Sequence, residues 1–280
     1  MTINTHPYFG VTAALATKHQ KEKVLSPVFQ RLSISIAHAE VDTDQLGTFS
    51  GEIPRLASPR ETVIKKARMG MELKGLQYGV ASEGSIGTDS NLIFVNSDVE
   101  FLAWIDDKNG IEIVESLKSF EIIAQSASFK KDESYVDFLE KIDFPNHAVI
   151  IRGDTTEAPI HKGITDVTNL DSLITQLFKD CESVIIESDL RAHFSPSRRL
   201  NIERLGNKLI DRLASLCKKC NLPGWGAVDY LYGLPCNHCG EVNSEAVSGK
   251  IFGCCKCDYR EEIFGDKKSI TAAECFLCNP

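Results

Sequence analysis

A chain of 280 residues is long enough for one sizeable core and a smaller appendage. Its hydrophobic fraction of 42% and charged fraction of 25% are ordinary globular values, which excludes a disordered or fibrous chain. A formal charge of -8 argues against broad electrostatic binding to nucleic acid, and no apolar run approaches the length of a membrane span.

Residues 11–17 (VTAALAT) read as a short buried strand, followed by a helix over about 20–31 and a second strand over 32–40. After a polar loop from Asp42 to Ala57, Ser58, Pro59 and Glu61 form a capping box with proline at the first helical position; that helix should run to about Lys74. Residues 76–82 look like a strand ending in the loop Glu83-Gly84-Ser85-Ile86-Gly87. The turn sequence 106–110 (DDKNG) predicts a hairpin of 100–105 with 111–116, extended by a third strand at 119–124. A helix over 134–142, a strand over 147–151, a helix over about 168–180 and a strand over 183–187 follow. Residues 198–216 form a basic amphipathic helix. Alternating helices and strands with one antiparallel hairpin predict a mixed-sheet α/β or α+β domain over 1–197. Helix 198–216 would connect it to a C-terminal zinc-ribbon module over 217–280.

Eight of the ten cysteines form four Cys-x-x-Cys pairs: Cys217/Cys220, Cys236/Cys239, Cys254/Cys257 and Cys275/Cys278. Each pair is half of a tetrahedral zinc site, so two structural zinc ions are expected. The inner pairs, fourteen residues apart, read as one site, and the first and last pairs as the other. No signal-peptide pattern opens the chain, so a cytoplasmic protein with reduced cysteines is expected. Cys181 and Cys255 read as plain buried thiols. Closed four-cysteine sites have no open position for chemistry, which directs attention to the first two hundred residues.

Four segments there carry candidate chemistry. Thr17-Lys18-His19-Gln20-Lys21 joins a strand to a helix N-terminus and suits phosphate, with Thr17, Lys18 and Lys21 as contacts. The loop 42–55 is rich in carboxylates and hydroxyls that suit a hard cation, Asp44 and Glu52 among them. Glu83, at an expected strand end, could hold magnesium or orient water. If the strand continued past 187, then Glu187, Asp189, Arg191 and His193 would share one face, as catalytic groups or as an ion-pair brace. In that set Asp189 and His193 are the acid–base candidates, and Arg191 and Arg198 the phosphate or carboxylate grips.

Taken together, these segments resemble an uncharacterised bacterial family, one of the domains of unknown function. The pattern includes Thr17-Lys18-His19-x-Lys21-Glu22, Ala81-Ser82-Glu83-Gly84-Ser85-x-Gly87, Glu187-x-Asp189-x-Arg191-Ala192-His193 and the closing Cys275-x-x-Cys278-Asn279-Pro280. The order of strand, Thr-x-x-x-Lys loop, capped helix with Lys65-Lys66-Ala67, and strand into Glu83-Gly84 is also similar to the inosine/xanthosine triphosphatases. That similarity implies a magnesium- or manganese-dependent hydrolase of a nucleotide or other phosphorylated small molecule. Glu61 and Glu83 would be the metal ligands, with Lys65 and Arg68 nearby. The chain departs from that superfamily at His19, in the missing base-recognition signature and in the zinc module. Another reading is a binding module without catalysis, in which the ribbon and the basic residues 198–220 contact nucleic acid or a protein. A third moves the centre to Glu187, Asp189 and His193 as a phosphodiesterase set.

Overall fold

The computed structural model describes residues 5–41 and 57–280; the carboxylate-rich loop 42–55, with Asp44 and Glu52, lies outside them. Three sheets are present among the described residues, giving a mixed α/β protein with a cysteine-rich end. No helix there is long and apolar enough to cross a membrane.

The main sheet has the order β2-β1-β3-β4-β5. Its strands are β1 (Thr12–Ala16), β2 (Ser35–Ala39), β3 (Tyr78–Thr88), β4 (Asn96–Asp106) and β5 (Ile111–Ser119). β1 runs parallel to β2 and β3, while β3, β4 and β5 form an antiparallel meander. Helix α1 (Glu22–Phe29) links β1 to β2, and α2 (Pro59–Lys74) returns the chain to the other side of β1. The expected capping box of α2 is formed, and Gly75 ends that helix in the left-handed conformation at φ 63°.

Period-two alternation sorts the strand side chains between two layers. Leu15, Val80, Leu102 and Trp104 pack with Leu25 and Phe29 of α1 and with Leu205 and Leu209 of α5 (Pro196–Ala214). Ala16, Ala81, Ala103 and Ile105 pack with Val63, Ala67 and Met71 of α2. The small residues on the α2 side let that helix approach closely; a Cβ at Gly79 would strike Met71 and the Ala67 carbonyl.

The second sheet has the order β6-β9-β7-β8: β6 (Ser126–Lys130), β9 (Ser183–Ser188), β7 (Val149–Gly153) and β8 (His161–Ile164). One face carries Val149, Ile151, Val184 and Ile186 against α3 (Val136–Lys141) and α4 (Val167–Leu177). The alternate residues Ser126, Glu187, Ile150 and Arg152 face the other way, toward the main sheet. The expected third strand at 119–124 is absent. β5 ends at Ser119, and the chain crosses to the second sheet, where the unanticipated β6 and β8 are held by their ladders rather than by apolar pattern.

β3 runs straight through the residues expected to form a loop. Each residue from Tyr78 to Thr88 pairs with β4, so Glu83 sits mid-strand opposite Phe101. Gly84 is required there, because a Cβ would land on the Glu100 carboxylate and the Arg198 guanidinium. Gly84→Ala should lower stability by about 1–3 kcal/mol through overpacking, measured as a shift in denaturant midpoint without a change of slope.

Candidate functional site

β3 outlasts β1: their pairing ends at Ala16 and Ala81, and β3 runs on from Ser82 to Thr88 past the end of β1. The connections from β1 and β2 also diverge here, making this the topological switch point of the sheet, where open α/β sheets bind ligands. The polar face of the second sheet stands opposite. Between the two walls lies a cavity of about 740 Å³.

Three of the four candidate segments meet in it. Thr17, Lys18, His19 and Lys21 arrive from the β1–α1 turn, Glu83 from β3, and Glu187, Asp189 and Arg191 from the end of β9 and beyond. The expected continuous strand 187–193 is not formed. β9 ends at Ser188, and Asp189 then accepts hydrogen bonds from the Arg191 backbone N–H at 3.1 Å and from its guanidinium at 2.5–3.2 Å, turning the chain. The groups converge through that turn instead of through a shared face. Lys66, Arg152 and Lys162 also line the cavity. Arg152 was legible in principle, since in residues 149–153 it alternates with two buried apolar positions.

Lys66 Nζ lies 2.5 Å from Glu83 Oε2, and both groups are nearly buried. Among the described residues Glu83 therefore meets a lysine. Glu61 is spent elsewhere: its carboxylate accepts hydrogen bonds from the Ser58 backbone and hydroxyl at the start of α2, outside the cavity lining. Arg68 pairs with Asp107 and Glu112 on the surface. Among the described residues the clusters able to hold a metal are the two cysteine sets, and Glu61 and Glu83 are not brought together.

Lys21 donates from Nζ to the Ser82 hydroxyl at 2.8 Å and to the Ser82 carbonyl at 3.4 Å. Burial, reinforced by the Arg198 charge, holds its pKa down at about 8. Below that pH the folded protein carries the penalty of a buried ammonium, and stability should rise as pH climbs from about 8 toward the ordinary lysine value. Lys21→Met should remove that rise, worth ~2–3 kcal/mol, as read by comparing the two proteins in denaturant at pH 7 and pH 10.

His193 lies beside the cavity, its ring stacked on His19 at 5.3 Å, and burial pushes its pKa down. Arg198, expected to grip a ligand, is instead fully buried. Its Nε meets Glu100 Oε1 at 2.5 Å and its Nη1 donates to the Leu190 carbonyl at 2.7 Å, so it braces the cavity wall from behind. Asn201 holds Asp98 beside this pair; burial and the Glu100 charge push that carboxyl up to about 7.

Most of the basic residues at 198–220 are likewise engaged internally. Arg199 donates to the Ala192 and His193 carbonyls, Arg204 pairs with Glu121, Lys208 and Arg212 with Glu115, and Lys218 with Glu261. α5 is thus one layer of the main core, with its charges tied down along its flanks.

The cysteines form two sets of four, but the pairing differs from the expected one. Cys217 and Cys220 meet Cys254 and Cys257, while Cys236 and Cys239 meet Cys275 and Cys278. The reason is the length of the hairpin between them. β10 (Gly226–Pro235) and β11 (Val242–Gly253) pair from Gly226↔Gly253 at the base to Pro235↔Val242 at the tip. Cys236 follows the tip and Cys254 the base, roughly 30 Å apart at 3.3 Å per residue. A parallel bridge between Cys236 and Ile270 carries the last pair up to the tip.

Four thiolates at 2.3 Å from zinc would stand about 3.8 Å apart along the edges of a tetrahedron. The observed sulfur separations, 3.6 and 3.7 Å in the first set and 3.7 and 3.9 Å in the second, fit that donor geometry. The first set is docked on the main core, where Cys255 and Leu222 pack. The second has its own small core of Leu234 and Ile270.

Comparison with curated proteins and with solved structures gives no match. The likeness to inosine/xanthosine triphosphatases therefore rests on the sequence pattern alone. From Lys66 in α2 through both cysteine sites, residues 66–280 match a family described as a domain of unknown function (DUF6671), and the chain belongs to that family.

Proposed function

We propose that the cavity at the switch point binds a phosphorylated small molecule. The observation that carries this reading is the charge of its lining. Among the described residues of the lining, Lys18, Lys21, Lys66, Arg152, Lys162 and Arg191 accompany Glu83, Glu187 and Asp189, six cationic side chains to three carboxylates in a chain whose net charge is -8. Low-dielectric walls on both sides strengthen that field, and arginine matches phosphate oxygens in a bidentate fashion. Ile86, Ile150 and Ile160 supply apolar surface for the uncharged part of the ligand.

Hydrolysis of the bound phosphate is the activity to test first, because the triphosphatase resemblance points to it. Lys18 and Arg191 would stabilise charge on the phosphate. His19, which lines the cavity with its ring stacked on His193, would be the imidazole placed to accept a proton. No step is assigned to a magnesium ion, given the lysine already on Glu83.

Titration of the zinc-replete protein with inorganic pyrophosphate at low salt, followed by calorimetry, tests the reading. Binding should weaken by about tenfold or more in Arg191→Ala, in line with a charged hydrogen bond, and should fall as salt rises. Absence of binding by folded protein at low salt would remove the proposal. A panel of nucleoside triphosphates and phosphomonoesters then reads phosphate release. Most of the basic residues that the nucleic-acid reading needs are paired within the chain, which favours the small-molecule reading; oligonucleotide binding at low salt would favour the other.

A further inference from the structure

We propose that Lys21 is a reactive amine that condenses with the carbonyl group of a phosphorylated aldehyde or ketone held in the same cavity. The ligand class deepens the phosphate-binding reading and rests on it.

Four lysines line the cavity, and they are not equivalent. Lys66 is neutralised by Glu83 at 2.5 Å. Lys21 forms no ion pair with a described residue; the partners of its Nζ are the hydroxyl and carbonyl oxygens of Ser82, which an uncharged amine satisfies equally well. It stands at the start of α1 beside the part of β3 that runs past β1, is 8% exposed, and lines the cavity. Burial is the chief cause of its lowered pKa; the charges of Arg198 and Lys66 add to it, while those of their partners Glu100 and Glu83 oppose it. A lysine desolvated by burial, with no carboxylate of its own, is the arrangement that yields a nucleophilic amine at neutral pH. Its pKa of about 8 leaves on the order of a hundredfold more free amine at pH 7 than an ordinary lysine has.

The chemistry balances without a co-reactant. The Lys21 nitrogen attacks the carbonyl carbon, forming a C–N bond, and the carbonyl oxygen takes up a proton, for which the Ser82 hydroxyl at 2.8 Å is a ready relay. The C–O bond then breaks, the oxygen leaves as water with the two hydrogens of the amine, and an imine remains. Lys18, Arg152 and Arg191 hold the phosphate during this exchange.

Pyridoxal 5′-phosphate, a phosphorylated aldehyde, is the probe. The full-length zinc-replete protein is mixed with less than one equivalent at pH 7.5, reduced with borohydride and mapped by peptide mass. The expected result is modification of Lys21 at least about tenfold faster than of any other lysine, slowed by inorganic phosphate, with an imine absorption band before reduction. Lys21→Met, checked for zinc content and unfolding midpoint, should lack that band. Label on Lys18, Lys66, Lys162 or surface lysines with Lys21 untouched overturns the proposal, even where phosphate binding is intact. Rapid labelling of Lys21 that phosphate does not slow confirms the amine and overturns the phosphate reading instead.

Discussion

Cys217→Ser or Cys254→Ser should unfold the base of the ribbon and lower the stability of the main domain, whereas Cys239→Ser should leave the main-domain transition where it was. The asymmetry follows from where each site is anchored. The first set is continuous with the main core through Cys255, whose thiol meets the Pro223 carbonyl at 3.2 Å, and through Leu222. Arg212 of α5 donates to the Gly224 carbonyl at 3.2 Å and pairs with Glu115, so the knuckle and the sheet grip the same helix. The second set belongs to a separate small core with Leu234 and Ile270. Structural zinc contributes on the order of 10 kcal/mol to small metal-dependent folds, and a site reduced to three thiolates forfeits much of it. Thermal unfolding with parallel zinc assay checks this: one bound zinc and an unshifted main transition for Cys239→Ser, one bound zinc and a clear loss for Cys217→Ser. Equal effects of the two variants would show that the anchoring argument is wrong.

Arg198→Ala should destabilise the protein by about 3–5 kcal/mol, because it leaves the Glu100 carboxylate buried without its cation. The Leu190 carbonyl loses its donor as well. The converse substitution makes the argument specific. Replacing the pair together, Glu100→Leu with Arg198→Met, removes both charges and should restore most of the loss. Denaturant unfolding of the two single variants and the double variant supplies a cycle; simple addition of the single effects would mean that the pair is not coupled. Ligand binding should weaken in Arg198→Ala although this side chain never enters the cavity, since Leu190 and Asp189 lie on the segment it holds.

What could be read from the chain was local. Ser58, Pro59 and Glu61 announce α2 because a capping box is complete within four residues. The Cys-x-x-Cys knuckles announce themselves in the same way. The partner of each knuckle was not legible, since all four look alike and only the length of the β10–β11 ladder decides which ends meet. The residues 83–87, rich in glycine and serine, read as a loop, yet pairing with β4 makes them a strand and places Gly84 over a buried ion pair. Similarly, Arg198 carries the pattern of a surface phosphate grip, and only its position at the first turn of α5 against β4 shows that it points inward. The candidate segments at 17–21, 83 and 187–191 were legible as groups; their convergence on one cavity depends on two sheets facing each other, which no local pattern encodes.

The interleaved cysteine pairing has a consequence for strand register. The β10–β11 ladder shifts register at three places, and its side chains alternate weakly between buried and exposed. Such a hairpin has little to stop one strand from sliding past the other. A metal at each end clamps it, because a slip of even two residues would pull Cys254 from Cys217 at the base while pushing Cys236 past Cys275 at the tip. Metal starvation would therefore produce a mispaired ribbon as well as a loose one. With Tyr230, Tyr232, Ile263 and Phe264 already exposed along its strands, that ribbon would offer neighbouring molecules a free edge to join.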